Sequence, residues 1–372
     1  MTRLPFLTLL FLWALVTGCA APPAHPGQFL GGYARALAWA PDGSAIVAVR
    51  DQEIVIADSS TLVPIKKLKG NDPWSLHKNA AAVAFSPDGK VFATAGFDNG
   101  VLIWDARTWQ RILRFKESDG ATTLAFSPAG TNLVSAGPEA PIKLWDVNTG
   151  SLSAVLTDAK SGVMSVAISP DGKLLAAGDI HRNVTFWELS SRRIAAVFKD
   201  FSGPVLSVAF SPDGTRLAAG AGGYEVRFLA TGDFAVQKLL VDPKKPTAGS
   251  QSAERLVSVV SVIGLARTLQ LTGAPSGVPV TGFAQASWPA FNCPLAFSPD
   301  GKWLAMIRFS RELSADYHLE IYDTESGDLV NRYSGALSSL TFSPDNQRLA
   351  TSGIIRVILL DPRTGKEISL TR

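Results

Sequence analysis

One tetrapeptide recurs through this 372-residue chain at nearly constant spacing, and it constrains the fold more than any other feature. Proline presets φ for the second position of a tight turn, aspartate suits the third, and glycine accepts the left-handed backbone that ends it. The prolines lie 46, 41, 42, 42, 87 and 45 residues apart. The seven copies are Ala40-Pro41-Asp42-Gly43, Ser86-Pro87-Asp88-Gly89, Ser127-Pro128-Ala129-Gly130, Ser169-Pro170-Asp171-Gly172, Ser211-Pro212-Asp213-Gly214, Ser298-Pro299-Asp300-Gly301 and Ser343-Pro344-Asp345-Asn346.

The segments around these turns predict short strands. An apolar second strand follows each turn, as in Val91-Phe92-Ala93-Thr94-Ala95, and helical periodicity is absent. A period of about 40–45 residues is typical of a four-stranded propeller blade. We therefore predict an all-β protein with the β-propeller fold. Before each turn stands an aromatic or aliphatic residue: Trp39, Phe85, Phe126, Ile168, Phe210, Phe297 and Phe342.

The number of blades depends on how the 87-residue interval is read. It is close to two periods, and residues 241–292 contain segments similar to those of a repeat. Arg255–Val259 is similar in kind to Arg216–Gly220, and Thr268–Gly273 to Val226–Gly232. We predict eight repeat slots, with residues 241–292 as a degenerate repeat. A seven-bladed ring with that segment as an insertion is the alternative.

The third strand of several repeats ends in tryptophan and an acidic residue. Leu102-Ile103-Trp104-Asp105, Lys143-Leu144-Trp145-Asp146 and Thr185-Phe186-Trp187-Glu188 resemble the strand endings of WD-repeat proteins, and Ile321–Asp323 and Leu359–Asp361 are looser versions. The resemblance covers residues 33–372 and implies a WD-repeat β-propeller domain.

The second repeat matches the WD pattern most completely. The resemblance implies a buried hydrogen-bond network of His77, Thr94, Asp98 and Trp104. A buried carboxylate requires such partners. We interpret these residues as structural and not as catalytic.

The N-terminus predicts export and lipid attachment. Arg3 precedes an apolar stretch that is too short to span a bilayer, and Leu15-Val16-Thr17-Gly18-Cys19 resembles the lipobox of bacterial lipoproteins. This implies a signal peptide at residues 1–18, a lipidated Cys19 and a flexible tether at residues 19–32. Ala20 after the cysteine favours the outer over the inner membrane. An ordinary signal peptide cut near Ala20 or Ala21 is the alternative.

Composition and motifs argue against several other functions. The chain has 35 basic and 32 acidic residues without a Lys/Arg run, which argues against nucleic-acid binding. Two cysteines cannot form a four-cysteine zinc site. The sequence contains no metalloprotease, serine-hydrolase or phosphate-binding motif. We expect no enzymatic activity, cofactor or metal.

A propeller acts through the loops of its rims. We predict a monomeric ring, anchored to the membrane by lipid, that binds a protein or peptide partner as a scaffold. The alternative is a periplasmic hydrolase or sugar-binding protein with its site at the channel mouth, in Phe309–Tyr317 with Arg311, Glu312 and Asp316. Aromatic and arginine side chains dominate contact energies. The predicted binding face contains Trp74, His181, Arg182, Tyr224, Arg308 and Arg311.

Overall fold

The structure, a computed structural model, is a ring of seven antiparallel sheets, or blades. It describes residues 34–50, 53–69, 80–96, 100–115, 120–158, 162–222, 225–241, 294–310, 316–335, 337–353 and 356–368. The all-β prediction is confirmed, and so is the propeller.

The first three blades follow one another without a crossover. Blade one contains β1 (Ala36–Trp39), β2 (Ala45–Val49), β3 (Glu53–Asp58) and β4 (Pro64–Lys69). Blade two contains β5 (Ala80–Phe85), β6 (Val91–Gly96), β7 (Val101–Asp105) and β8 (Arg111–Phe115). Blade three contains β9 (Thr123–Phe126), β10 (Asn132–Ala136), β11 (Ile142–Asp146) and β12 (Leu152–Leu156).

The remaining blades repeat this order. Blade four contains β13 (Val163–Ile168), β14 (Leu174–Asp179), β15 (Val184–Glu188) and β16 (Arg193–Phe198). Blade five contains β17 (Val205–Phe210), β18 (Arg216–Ala221), β19 (Glu225–Ala230) and β20 (Val236–Val241). Blade six contains β21 (Leu295–Phe297), β22 (Trp303–Ser310), β23 (Asp316–Asp323) and β24 (Leu329–Gly335). Blade seven contains β25 (Leu337–Phe342), β26 (Leu349–Gly353) and β27 (Val357–Leu360), after which Leu360 pairs with Glu367 in an isolated bridge.

The apolar core lies between blades. The first strand of each blade contacts the first strand of the next, so these strands surround the axis and the fourth strands form the outer edge. Seven clusters of buried side chains fill the seven junctions between neighbouring blades. Blades one and seven close the ring, where the Leu37 backbone N–H donates to Ser339 Oγ over 3.1 Å and Trp39 Nε1 donates to the Thr341 carbonyl over 3.2 Å.

The preferred count of eight blades is wrong, and the alternative of seven is confirmed. Blade five packs directly on blade six: the rings of Phe228 and Phe297 lie 6.1 Å apart, and the Leu295 N–H donates to Ser207 Oγ over 3.2 Å. No sheet therefore lies between these two blades. Residues 242–293 are outside the described ranges, so whether they resemble a repeat stays a prediction.

Candidate functional site

The ring has two different rims. The turn rim contains the hairpins that join first to second strands and third to fourth strands. The loop rim contains the opposite connections, such as Ile180–Asn183 between β14 and β15. The predicted binding face belongs to the loop rim.

On the turn rim, five of the tetrapeptide turns are closed by a hydrogen bond between their own serine and aspartate side chains. Ser86 Oγ donates to Asp88 Oδ1 over 2.7 Å, and the Lys90 N–H donates to the same oxygen over 3.1 Å. These bonds, the Ser86 hydroxyl above all, lower the pKa of Asp88 to about 2. Gly89 has a φ of 68°, in the left-handed region that the turn requires. The carboxylate is thus engaged within its turn.

Successive turns also lie against one another. A Cβ added at Gly89 would lie 3.6 Å from Pro41 Cδ of the preceding blade, and one at Gly301 would lie 3.5 Å from Pro212 Cδ. Gly301 and Pro212 are separated by the 87-residue interval in the sequence, yet they lie as close together as Gly89 and Pro41 do. The turns of blades five and six are therefore direct neighbours.

The second set of turns on this rim follows the third strands. Asp105 Oδ1 accepts the backbone N–H groups of Arg107 over 3.0 Å and Thr108 over 2.6 Å, and Trp109 then has a φ of 60°. The Thr149 N–H donates to Asp146 in the same way over 2.8 Å. The acidic residue of the Trp-Asp ending therefore stabilises a turn.

The tryptophans of the third strands are buried between blades. Trp104 Nε1 donates to Thr94 Oγ1 over 2.9 Å. His77 and Asp98 lie outside the described residues, so the four-residue network stays a prediction. In blade three, Trp145 Nε1 donates to Ser135 Oγ over 2.8 Å.

Blade four lacks this pairing. Trp187 is buried, and its Nε1 has no hydrogen-bond partner. Both paired hydroxyls stand ten residues before their tryptophan, and the residue ten before Trp187 is Ala177. A methyl group occupies the place of the acceptor.

Blade six uses an ionic network near the corresponding position. Glu320, whose side chain is 3% exposed, accepts hydrogen bonds from Arg308 Nη1 over 2.9 Å, Tyr322 Oη over 2.8 Å and Arg332 Nε over 3.1 Å. Burial opposes the charged form, but the charge of Arg308 and these hydrogen bonds hold the pKa of Glu320 below its ordinary value. Burial and the neighbouring Glu320 raise the pKa of Tyr322 to about 12.

The predicted binding residues fall into three groups. His181 and Arg182 are exposed on the loop rim, where Arg182 has a φ of 69° and its Nε donates to the Phe201 carbonyl. Arg308 lies within β22 with a side chain that is 12% exposed, so its placement in an exposed loop is wrong: the β22–β23 hairpin continues past it, and Glu320 holds its guanidinium. Trp74, Tyr224 and Arg311 of the predicted binding face lie outside the described residues, as do the predicted lipidation site Cys19 and Glu312 of the alternative enzyme site.

A further repeat feature was missed in the sequence. Ser165 Oγ accepts the N–H of Val208 in the next blade over 3.1 Å, and Thr123 Oγ1 accepts that of Val166 over 3.2 Å. In the same way, Ser207 Oγ accepts the N–H of Leu295 in blade six, and Ser339 Oγ accepts that of Leu37 in blade one. All four hydroxyls stand four residues before the tetrapeptide turn, a signal that is visible in the sequence. They connect the first strands of neighbouring blades around the axis.

Within the described ranges, no three His, Cys, Asp or Glu side chains form a group that could hold a metal ion. Those same ranges contain no helix long and apolar enough to cross a membrane.

The family model described as the first beta-propeller of IFT122 matches residues 34–228, more than half of the chain. The chain belongs to this family of WD-repeat β-propellers. The match begins at the first described residue and extends into the third strand of blade five.

Shorter segments of this WD-repeat propeller are similar to eukaryotic proteins. Protein HIR1 of Candida albicans is 29% identical over 96 residues, which are 23% of this chain and 11% of that protein. The intraflagellar transport protein 122 homolog of Xenopus tropicalis is 32% identical over 84 residues, 22% of this chain and 6% of that protein. The chain thus spans a small part of the length of these relatives.

Proposed function

We propose that this WD-repeat propeller is a scaffold that binds a protein or peptide partner on its loop rim. The observation that carries the proposal is the closed seven-bladed ring of the WD-repeat family, since such propellers generally bind proteins. On the turn rim, carboxylates such as Asp88 and Asp105 are engaged in their own turns. The loop rim presents His181 as an exposed side chain for which no hydrogen bond is resolved. This contrast favours the loop rim as the contact surface.

We further propose that the scaffold is lipid-anchored in a bacterial envelope through Cys19. The sequence Leu15-Val16-Thr17-Gly18-Cys19 supports this. A diacylglycerol thioether with a further acyl chain meets the two-signal requirement for stable membrane attachment. The ring would then face the periplasm, with the outer membrane favoured by Ala20.

The binding surface is tested by crosslinking in intact cells, followed by purification and mass spectrometry. We expect His181→Glu to reduce the crosslinked partner several-fold, because it places a negative charge on the loop rim. The matched control is Asn148→Glu, an exposed position on the turn rim, which should leave the yield unchanged. Equal loss in both variants, or loss only in the control, would contradict a loop-rim site.

The anchor is tested separately by fractionation. Cys19→Ser should move the protein from the membrane to the soluble fraction, because the sulfur that carries the lipid is lost. Unchanged membrane association would refute the lipid anchor and leave the scaffold proposal intact.

A further inference from the structure

The chain connects most neighbouring blades by short segments. One to ten residues separate the last strand of one blade from the first strand of the next, with two exceptions. Residues 242–294 separate β20 of blade five from β21 of blade six. Blades seven and one are the last and first along the chain, so no segment connects them. These two junctions divide the ring into two covalent arcs, blades one to five and blades six and seven.

Both exceptional junctions contain an arginine that crosses to the next blade. Arg216 Nη1, at the start of β18, donates to the carbonyl of Thr324 in blade six over 3.1 Å. Arg348 Nη1 donates to the carbonyl of Ser59 in blade one over 2.9 Å. Each acceptor is the first residue after the third strand of its blade. The two junctions therefore share one contact in one geometry.

Each arginine also stacks on an aromatic ring at its junction. The Arg348 guanidinium carbon lies 4.9 Å from the centre of the Trp39 ring in blade one. That of Arg216 lies 5.7 Å from the centre of the Phe228 ring, which itself packs against Phe297 of blade six. Stacking orients the guanidinium, so the arginine side chain loses less conformational entropy when its hydrogen bond forms.

The arginine is restricted to these two blades. Both stand five residues after the first residue of the tetrapeptide turn. The equivalent residues of the other blades are Ala45, Val91, Asn132, Leu174 and Trp303. At the junction of blades six and seven a neutral side chain crosses from the outer strand: Asn331 Nδ2 donates to the carbonyls of Pro362 over 3.0 Å and Arg363 over 2.7 Å.

We propose that Arg216 and Arg348 are clasps that hold the two covalent arcs together. A short connection keeps neighbouring blades close, whereas a long or absent one leaves the junction to noncovalent contacts. Hydrogen bonds from a charged donor are stronger than neutral ones. At this position of the blade, arginine occurs at the two junctions that lack a short connection, and opening the ring into its two arcs requires breaking both of these contacts.

Amide hydrogen exchange on the full-length protein tests this proposal. The Leu295 amide, bonded to Ser207 Oγ, reports on the junction of blades five and six, and the Leu37 amide, bonded to Ser339 Oγ, reports on that of blades seven and one. Arg216→Met should accelerate exchange at Leu295 by roughly tenfold and leave Leu37 unchanged, since a hydrogen bond to a charged group contributes that much.

Arg348→Met should show the reverse pattern. The internal reference is the Val208 amide, which reports on blades four and five, a junction with a short connection. If either methionine variant fails to fold, the lysine variants Arg216→Lys and Arg348→Lys replace it. Lysine keeps the positive charge but lacks the planar guanidinium, so these variants should give smaller accelerations at the same amides. Equal acceleration at all three amides, or none, would overturn the proposal.

Discussion

Blades two and three differ from blade four in whether the indole N–H of one buried tryptophan has a hydrogen-bond partner. All three place it at the same point of the third strand. Trp104 and Trp145 donate to Thr94 and Ser135, whereas the Trp187 indole has no partner. A buried polar group without a partner costs about 1–3 kcal/mol. The propeller tolerates this because each blade is also held by apolar packing against two neighbours, and the repeat can lose its polar contact in one blade without losing the fold.

Blade six shows a third solution. Tyr322 replaces the tryptophan, and its hydroxyl donates to Glu320, which Arg308 holds from the neighbouring strand. A neutral pair in blades two and three thus becomes an ionised network in blade six. In these four blades the position before the acidic residue holds a large aromatic side chain, while its polar contact varies.

The largest effect should come from breaking the ionised network. Arg308→Met should lower the free energy of unfolding by about 3–5 kcal/mol, because Glu320 loses its buried counter-charge. Urea denaturation followed by tryptophan fluorescence measures this. The control is Arg332→Met, since Arg332 also contacts Glu320 but has a side chain that is 49% exposed, and it should cost less than Arg308→Met because an exposed charge contributes less than a buried one. Equal costs would show that blade six does not depend on a buried pair.

An intermediate effect is expected when blade three is made to resemble blade four. Ser135→Ala removes the acceptor of the Trp145 indole and should cost about 1–3 kcal/mol, because both groups are buried. The same urea titration measures it. Ser153→Ala, on the exposed outer strand of the same blade, is the matched control and should stay within about 0.5 kcal/mol. A Ser135→Ala cost no greater than the control would mean that the paired indole contributes nothing.

The fold was predictable because its signals are local. A proline followed by an aspartate, a glycine or both defines each turn within four residues, and Gly43, Gly89 and Asn346 adopt the positive φ that those turns require. The blade count was not predictable, because the contact of Phe228 with Phe297 joins residues on opposite sides of a long interval. Spacing alone could not separate a lost repeat from an insertion.

The candidate site was less predictable than the fold. Arg308 resembles a loop arginine in the sequence, but β22 and β23 pair for eight residues, and this register carries it into a strand beside Glu320. The serine and threonine residues before the turns are visible, yet their acceptor role depends on the neighbouring blade. The contacts between blades therefore cannot be predicted from the sequence of a single repeat.

The smallest expected effect is a gain of stability from restoring the missing acceptor of blade four. Ala177→Ser places a hydroxyl ten residues before Trp187, as in blade three, and should raise the free energy of unfolding by about 0.5–1.5 kcal/mol. Ala219→Ser is the matched control, because Ala219 has the same position in blade five, where Leu229 replaces the tryptophan and offers no donor. There the new hydroxyl is buried without the indole and should destabilise the protein. Changes of the same sign in both variants would mean that the hydroxyl acts without the indole, and the difference between blades three and four would need another cause.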